Sequence, residues 1–171
     1  MQDRTSLPPE ATTAHVPDFG APIHAWSDGG CRPNPGFGAH AAIVVLPSGK
    51  EVTFEGTEKD STNNRMELKA ALSILQGAKH ARHIIIHTDS EYLFLGITQR
   101  VEKWRTKGWI NSAKEPVVNR DLWEAILAEA ARHRVEWVLT RGHADDAMNN
   151  RADAAVQRLL RAASAPKKGA K

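Results

Sequence analysis

The chain has 171 residues, of which 41% are hydrophobic and 25% are charged. This length and composition fit one folded domain with an ordinary core, and they exclude collagen-like, coiled-coil and wholly disordered classes. Lys and Arg number 23 against 20 Asp and Glu, so the net charge of +3 is compatible with a polyanionic partner but does not require one.

Both ends of the chain are predicted to lie outside the folded domain. Residues 1–21 contain three prolines and show no sustained hydrophobic period, which predicts a flexible leader. Residues 163–171 are mostly small or basic and contain a proline and a glycine, which predicts a flexible basic tail. The folded domain is therefore predicted to span residues 22–162.

The first half of this domain is predicted to contain three strands and one helix. A strand over residues 23–27 ends at Asp28 and is followed by a turn-rich loop as far as Gly36. Residues 41–54 have the pattern of a strand, a tight turn and a second strand, so the first three strands are predicted to form an antiparallel meander. Apolar residues at i, i+3, i+4 and i+7 from Leu68 predict a helix over residues 63–78.

The second half is predicted to alternate between strands and helices. The β-branched run at residues 84–86 predicts a strand buried on both faces that ends at Asp89. The remaining predicted elements are helical segments at 91–99 and 100–107, a helix at 121–131, a strand at 135–139 and a helix at 146–161. Three consecutive strands followed by this alternation predict an α/β fold with a mixed five-stranded sheet flanked by helices.

Three acidic residues lie where this fold could bring them together. Asp28 follows the first strand, Asp89 ends the fourth, and Glu67 lies in the first turns of the helix between them. Because neighbouring strands can end at the same edge of a sheet, we expect the three carboxylates to converge into a metal site. The alternative for each acid alone is structural: Glu67 has capping-box spacing from Asn64, and Asp28 precedes a Gly-Gly turn signal.

The segments around these acids form a set of motifs in a fixed order. They are Asp28-Gly29-Gly30-Cys31-Arg32-Pro33-Asn34-Pro35-Gly36, Thr62-Asn63-Asn64-Arg65-Met66-Glu67-Leu68, Thr88-Asp89-Ser90, Gly142-His143-Ala144 and, last, Asp153. Together they closely resemble the ribonuclease H family, of the bacterial type 1 kind, over about residues 22–160. The resemblance implies a ribonuclease H-like fold, with the three antiparallel strands first and the parallel strands after them.

The resemblance also implies an activity. It implies a metal-dependent endonuclease that hydrolyses the RNA strand of RNA/DNA hybrids and leaves 5′-phosphate and 3′-hydroxyl ends. The cofactor implied is a pair of Mg²⁺ ions bound with the substrate, with Mn²⁺ as a substitute, and oxygen ligands suit such hard cations. The implied carboxylate set is Asp28, Glu67, Asp89 and Asp153, while His143 is implied to aid proton transfer and product release without binding metal.

Substrate-binding residues are predicted in three groups. By resemblance, Thr62 and Asn119 hold a DNA phosphate, and a second set faces the minor groove, where amide groups can bond to 2′-hydroxyls. That set contains Cys31, Asn34, Asn63 and Asn64. Cations interleaved with aromatic residues are typical of a surface that follows a phosphate backbone, and these are Lys103, Trp104, Arg105, Lys107 and Trp109. An amphipathic helix with its tryptophans in the core is the alternative for this stretch.

The chain departs from the family pattern at several positions. Acidic residues Asp145 and Asp146 follow His143 where the family has a Gly-His-Pro turn. Arg100 stands where a tryptophan is expected, and Glu91 replaces a glutamine beside Asp89. Glu102, Ile110 and Glu115 interrupt the basic stretch, so its positive charge is lower than the family pattern implies.

Two other functions stay open from the sequence. A related polynucleotidyl transferase, such as an integrase or resolvase, would share the sheet and the paired carboxylates. A catalytically silent hybrid- or RNA-binding module would use the basic stretch alone, although four clustered acids give such a module no benefit beside a phosphate.

The sequence also gives expectations for partners and location. Cys31 is the single cysteine, which excludes an internal disulfide and favours a reducing, cytoplasmic setting. The longest apolar run, residues 41–46, is far shorter than the roughly 18–20 residues that cross a bilayer, so we expect no membrane association. The expected substrate partner is an RNA/DNA hybrid, and the expected oligomeric state is a monomer.

Overall fold

A computed structural model describes residues 18–141 and 146–164 of the chain. Five strands form a single sheet: β1 (Ile23–Arg32), β2 (Gly36–Val45), β3 (Glu51–Ser61), β4 (His83–Thr88) and β5 (Arg134–Leu139). The α-helices are α1 (Asn63–Gly77), α2 (Glu91–Leu95), α3 (Val101–Thr106), α4 (Arg120–Ala130) and α5 (Ala147–Ser164), and a π-helical turn (Gly96–Arg100) joins α2 to α3. Within these ranges no helix is long and apolar enough to cross a membrane.

The predicted mixed five-stranded sheet is confirmed. The strand order is β3-β2-β1-β4-β5, with β1 antiparallel to β2 and parallel to β4, and β4 parallel to β5. The first two strands are longer than the hydrophobic pattern predicts. Their pairing continues through the Asp28 motif as far as Arg32 opposite Phe37, because backbone ladder bonds do not require apolar side chains. Asp28 therefore lies within a strand instead of at its predicted end.

The main core lies between one face of the sheet and helices α1 and α4. Leu68 and Leu75 of α1 point into it and are fully buried, and Trp123 of α4 is fully buried beside them. A second, smaller cluster forms where α5 packs on the opposite face, with Val156 and Leu160 against Ala39 and Ala41 of β2. Helices therefore cover both faces, which places α1 and α5 on opposite sides of β1.

The prediction that β4 is buried on both faces is wrong. Ile84 and Ile86 are buried against the main core, but Ile85 is only half-buried. Helix α5 packs mainly on β1 and β2, so the same face of β4 and β5 receives less cover, and Val138 on β5 is 37% exposed. A β-branched run is typical of strands but does not determine how far a distant helix extends over them.

Candidate active site

Three carboxylates meet at one edge of the sheet. Asp28 lies in β1, Asp89 directly follows β4, and Glu67 lies in α1. Ligand oxygens of the three residues all lie within 4.8 Å of one another. The parallel pairing of β1 with β4 extends to Ser27 opposite Thr88. The next residues, Asp28 and Asp89, therefore lie side by side.

Two adjacent glycines of β1 allow helices to approach from both faces of the sheet. A Cβ atom at Gly29 would lie 2.3 Å from the backbone carbon of Met66 and 2.4 Å from the backbone nitrogen of Glu67. A Cβ atom at Gly30 would lie 3.1 Å from Val156 of α5. The missing side chain at Gly29 therefore lets the α1 backbone approach β1 closely enough for Glu67 to reach Asp28.

Asp153 approaches the carboxylates from α5. It is exposed and lines a cleft of about 310 Å³ together with Asp28 and Glu67. Its negative charge acts on Asp28, and Gln157, one helical turn later, donates a hydrogen bond of 3.4 Å to its Oδ1 atom. The structure therefore brings all four predicted acids to one region, with Asp153 at its solvent side.

The environment of two of these acids disfavours their ionised forms. Burial, with the charges of Asp89 and Asp153 acting in the same direction, raises the pKa of Asp28 to about 7. Burial, followed by the charges of Asp28 and Asp89, raises the pKa of Glu67 well above its ordinary value. The Gly29 backbone N–H favours the ionised form of both carboxylates and so lowers both pKa values, but this effect is smaller than the effect of burial and charge repulsion.

These acids fit a hard divalent cation. The donor set consists of carboxylate oxygens, which such cations prefer. The Oε2 atom of Glu67 is shielded from solvent and has no hydrogen-bond partner among the described residues. A positive ion at this position would satisfy that oxygen and offset the repulsion between the carboxylates.

The capping alternative for Glu67 is wrong. The N-cap of α1 is Thr62, whose hydroxyl accepts a hydrogen bond of 3.2 Å from the backbone N–H of Arg65. The reciprocal partner of that cap would be Arg65, not Glu67. The Glu67 side chain is therefore available to the carboxylate cluster.

Asn149 belongs to this site, although the sequence analysis does not select it. It is 4% exposed, and its Nδ2 atom donates a hydrogen bond of 3.0 Å to Oδ2 of Asp89. The feature of the sequence that could have selected Asn149 is its position four residues before Asp153, since residues i and i+4 lie on the same face of a helix. His143 and Asp145 lie outside the described residues.

An amide-rich cluster lies beside the carboxylates. The backbone N–H of Cys31 donates to Oδ1 of Asn63 (2.7 Å), and the backbone N–H of Asn63 donates to Oδ1 of Asn34 (3.2 Å). Cys31 and Asn63 also line the cleft that contains Asp28. Asn64 is the next residue of α1 and is exposed. Because backbone N–H groups hold both Oδ1 atoms, the Nδ2 groups of Asn34 and Asn63 are left as donors for a ligand.

Arg65 connects the two residues predicted to hold a DNA phosphate. Its backbone N–H donates to Thr62, and its guanidinium donates to Oδ1 of Asn119 at 3.4 Å. The same guanidinium forms ion pairs with Glu58 and Asp121. Asn119 has a left-handed backbone conformation (φ 60°) directly before α4. The arrangement fixes Thr62 and Asn119 on adjoining elements at the surface.

Some residues of the basic stretch at 103–109 line a groove, and others make contacts away from it. Lys103, Trp104 and Lys107 line a groove of about 560 Å³. Arg105 instead forms an ion pair of 3.0 Å with Glu102. Trp109 is 6% exposed and packs in the core, with the Arg120 guanidinium 5.5 Å from its ring centre. Trp104 is partly buried and contacts Trp123 edge-on, so it both packs against the core and lines the groove.

Comparison with known proteins gives consistent matches. The family model described as RNase H matches residues 21–161. The chain is 44% identical over 146 residues to a ribonuclease H of Acidiphilium cryptum, covering 83% of this chain and 91% of that protein. It is 43% identical over 159 residues to a ribonuclease H of Pelobacter propionicus, covering 93% of this chain and 92% of that protein.

Solved structures give the same result for the fold. The crystal structure of LC9-RNase H1, described as a type 1 RNase H with the type 2 active-site motif, is similar with a TM-score of 0.72 and 26% identity, over 87% of this chain and 75% of that chain. LC11-RNase H1, solved in complex with an RNA/DNA hybrid, is similar in fold with a TM-score of 0.63 and 18% identity, over 84% of this chain and 99% of that chain.

Proposed function

The chain belongs to the ribonuclease H family and is a nuclease, and from this premise we propose that it cleaves the RNA strand of RNA/DNA hybrids endonucleolytically with two divalent metal ions. The observation that carries the proposal is the set of three carboxylates, Asp28, Glu67 and Asp89, within 4.8 Å of one another. Asp153 completes a four-acid set from α5. The presence of all four acids disfavours a silent binding module.

The divalent cations would supply the charge that the reaction needs. Two Mg²⁺ ions, with Mn²⁺ as a substitute, would supply charge that activates a water and stabilises the leaving 3′ oxygen. Departure of that oxygen leaves a 3′-hydroxyl, and addition of water leaves a 5′-phosphate on the other product. Asp28, Glu67, Asp89 and Asp153 are proposed to hold the cations.

The chain's own groups hold these acids in place. Asn149 restrains Asp89 by a hydrogen bond, and the close approach of the α1 backbone to β1 at Gly29 holds the backbones that carry Asp28 and Glu67 together. Asp153 is exposed and on a separate helix, so it is the acid best placed to adjust when substrate enters. His143, whose role is carried over from the family motif alone, is proposed to move protons and aid product release without binding metal.

Substrate choice is proposed to come from both strands. The amides of Asn34, Asn63 and Asn64 and the backbone at Cys31 would bond to 2′-hydroxyls of the RNA strand in the minor groove. Thr62 and Asn119, connected by Arg65, would hold a phosphate of the DNA strand.

The groove of Lys103, Trp104 and Lys107 would follow the DNA backbone further along. Arg105 and Trp109, which the sequence predicts to bind substrate, do not line this groove. Arg105 is paired with Glu102 and Trp109 is buried, so both should contribute less to substrate binding than the groove residues do.

Several further expectations accompany the proposal. All four acids come from one chain, which supports a monomer as the active form. The single cysteine supports a cytoplasmic location, as argued from the sequence. The domain boundaries at residues 22 and 162 also stay a prediction.

A cleavage assay with three duplexes tests the function. Labelled RNA/DNA, RNA/RNA and DNA/DNA duplexes are incubated with the protein and Mg²⁺, with and without a chelator. We expect cleavage of the RNA in the hybrid alone, lost with chelator and restored by excess Mg²⁺. Cleavage of DNA/DNA would favour the integrase or resolvase alternative, and binding of the hybrid without cleavage would favour the silent module.

A further inference from the structure

Two histidines meet on the sheet face that α5 leaves partly uncovered. His24 on β1 and His87 on β4 place Nδ1 and Nε2, respectively, 3.1 Å apart. His24 pairs in register with Ile85, and His87 pairs with Trp26, so the two histidines are diagonal neighbours. Trp26 stacks on the His87 ring with centroids 4.7 Å apart and planes 9° from parallel.

Solvent can reach this cluster. Both histidines and Trp26 are half-buried, and Val138, which pairs with His87 on β5, is 37% exposed. The Asp146 carboxylate interacts electrostatically with His87. The cluster thus combines two imidazole nitrogens, an aromatic wall and a nearby negative charge.

The separation of the two nitrogens suits one metal ion. Imidazole nitrogens bind zinc-like ions at about 2.0–2.1 Å, and two such bonds to atoms 3.1 Å apart enclose an angle of about 98° at the metal. That angle lies between the square-planar and tetrahedral values. Imidazole is a ligand for Zn²⁺, Cu²⁺ and Ni²⁺, whereas Mg²⁺ prefers oxygen ligands.

We propose that His24 and His87 form a two-nitrogen site for a borderline divalent transition metal ion, separate from the carboxylate site. In the metal-free protein one of the facing nitrogens donates its proton to the other. On binding, that proton moves through solvent to the other nitrogen of the same ring, so both neutral imidazoles present a lone pair and no net proton is lost. Water completes the coordination, and Asp146 contributes charge.

The site lies next to the carboxylates without sharing ligands with them. Trp26 and His87 are each two residues before an acid, Asp28 and Asp89 respectively, and alternate residues of a strand lie on one face. The difference in donor atoms means that Mg²⁺ in excess occupies the carboxylates and leaves the histidines free for Ni²⁺.

Calorimetric titration of the full, untagged chain with NiCl₂ in excess Mg²⁺ at pH 7.5 tests the proposal. We expect His24→Gln and His87→Gln each to weaken Ni²⁺ binding by at least about tenfold. His83→Gln, on the same strand but paired with Glu136, is the matched control and should leave the affinity within about twofold. Asp28→Asn with Glu67→Gln should also leave it unchanged.

Tryptophan fluorescence gives a second measurement on folded protein. Ni²⁺ at His87 should quench Trp26, and Trp26→Phe should remove this saturable quenching while calorimetric binding persists. Circular dichroism checks that each variant is folded. Binding that survives both histidine substitutions, or that is lost with the carboxylate substitutions, would overturn the proposal.

Discussion

The Asn149 side-chain amide donates a hydrogen bond of 3.0 Å to the carboxylate of Asp89, across the gap between α5 and the end of β4. The backbone N–H of Asn149 donates in turn to Asp146, which precedes the helix. The start of α5 is thereby tied to one of the proposed metal ligands. Asn149 is accordingly a positioning residue that orients Asp89.

We expect Asn149→Ala to lower kcat/KM by about tenfold and to raise the Mg²⁺ concentration needed for half-maximal activity, because outer hydrogen-bond partners orient metal ligands. Asn149→Asp keeps the shape but places an anion against Asp89, so it should be more harmful than Asn149→Ala. Activity measured over a range of Mg²⁺ concentrations checks this. An unchanged Mg²⁺ profile in both variants would show that Asn149 only supports the fold.

Asp89→Asn should abolish cleavage while hybrid binding is kept or improved. The substitution is nearly isosteric but removes one anionic ligand from the carboxylate cluster. The assay compares product formation at saturating Mg²⁺ with hybrid affinity measured separately, and Asp18→Asn at an exposed position before β1 serves as the control. Substantial cleavage by correctly folded Asp89→Asn protein would contradict the four-acid assignment.

Asp28→Asn should stabilise the metal-free protein, and more so at high pH. The pKa of Asp28 is about 7 in the folded chain against an ordinary value of 3.8, so between these pH values the folded state holds more protons than the unfolded state. The free energy of unfolding therefore falls as pH rises through this window and stays lower above it. The amide introduced by the substitution does not titrate and avoids this loss.

Urea unfolding with chelator at pH 4 and at pH 8 measures the difference. The stabilisation by Asp28→Asn should grow by roughly 1–4 kcal/mol between these pH values. Added Mg²⁺ should reduce it, because the cation stabilises the ionised wild-type carboxylates. A stabilisation that is the same at both pH values would mean that the Asp28 carboxyl is not perturbed in the folded protein.

The sequence predicts the fold and the acids well because both depend on local patterns. Strand and helix periods give the order of elements, and acids at matching levels of two neighbouring parallel strands converge because of the topology. The convergence of Asp28 with Asp89 requires only that β1 and β4 be parallel neighbours, as they are.

Other parts of the site depend on contacts that periodicity does not encode. Gly29 and Gly30 read as a turn signal, yet they lie in β1 and admit α1 and α5 on opposite faces. The burial of Trp109 and the pairing of Arg105 with Glu102 depend on the local path of the chain after α3. Likewise, the uncovered face beside Ile85 depends on the direction of α5, which crosses the sheet after a long separation in sequence.

Replacing Lys103 and Lys107 together with Ala should raise KM more than it lowers kcat. Both residues line the groove proposed to follow the DNA backbone, far from the scissile bond. The slope of log affinity against log salt should flatten by roughly 0.9 per lost phosphate contact. Arg105→Ala is the matched control with a smaller effect, because Glu102 already pairs with that charge. An unchanged salt slope in the double variant would show that the groove does not touch the substrate.

The hydrogen bonds of Asn63 separate a structural role from a recognition role. Its Oδ1 atom accepts from the Cys31 backbone, which leaves its Nδ2 group as the donor proposed for a 2′-hydroxyl. Asn63→Asp keeps an oxygen for Cys31 but replaces the donor with an anion, whereas Asn63→Ala removes both. Deoxy sugars offer no partner for the donor, and a buried polar group without a partner costs about 1–3 kcal/mol.

Asn63→Asp should therefore fold like the wild type and yet lower kcat/KM on RNA/DNA hybrids by about tenfold. The loss should depend little on base sequence, because the lost contact is to a sugar hydroxyl and not to a base edge. Hybrids with one to six ribonucleotides in an otherwise DNA strand measure the effect.

The wild type should need several consecutive ribonucleotides, since the Asn34, Asn63 and Asn64 amides contact neighbouring sugars together. In the variant the rate should depend less on ribonucleotide number. Gln76→Glu makes the same amide-to-acid change at an exposed position near the end of α1, so it is the control and should keep the wild-type dependence. Efficient wild-type cleavage at a lone ribonucleotide would contradict recognition by 2′-hydroxyl contacts, even if Asp89→Asn abolishes the reaction as expected.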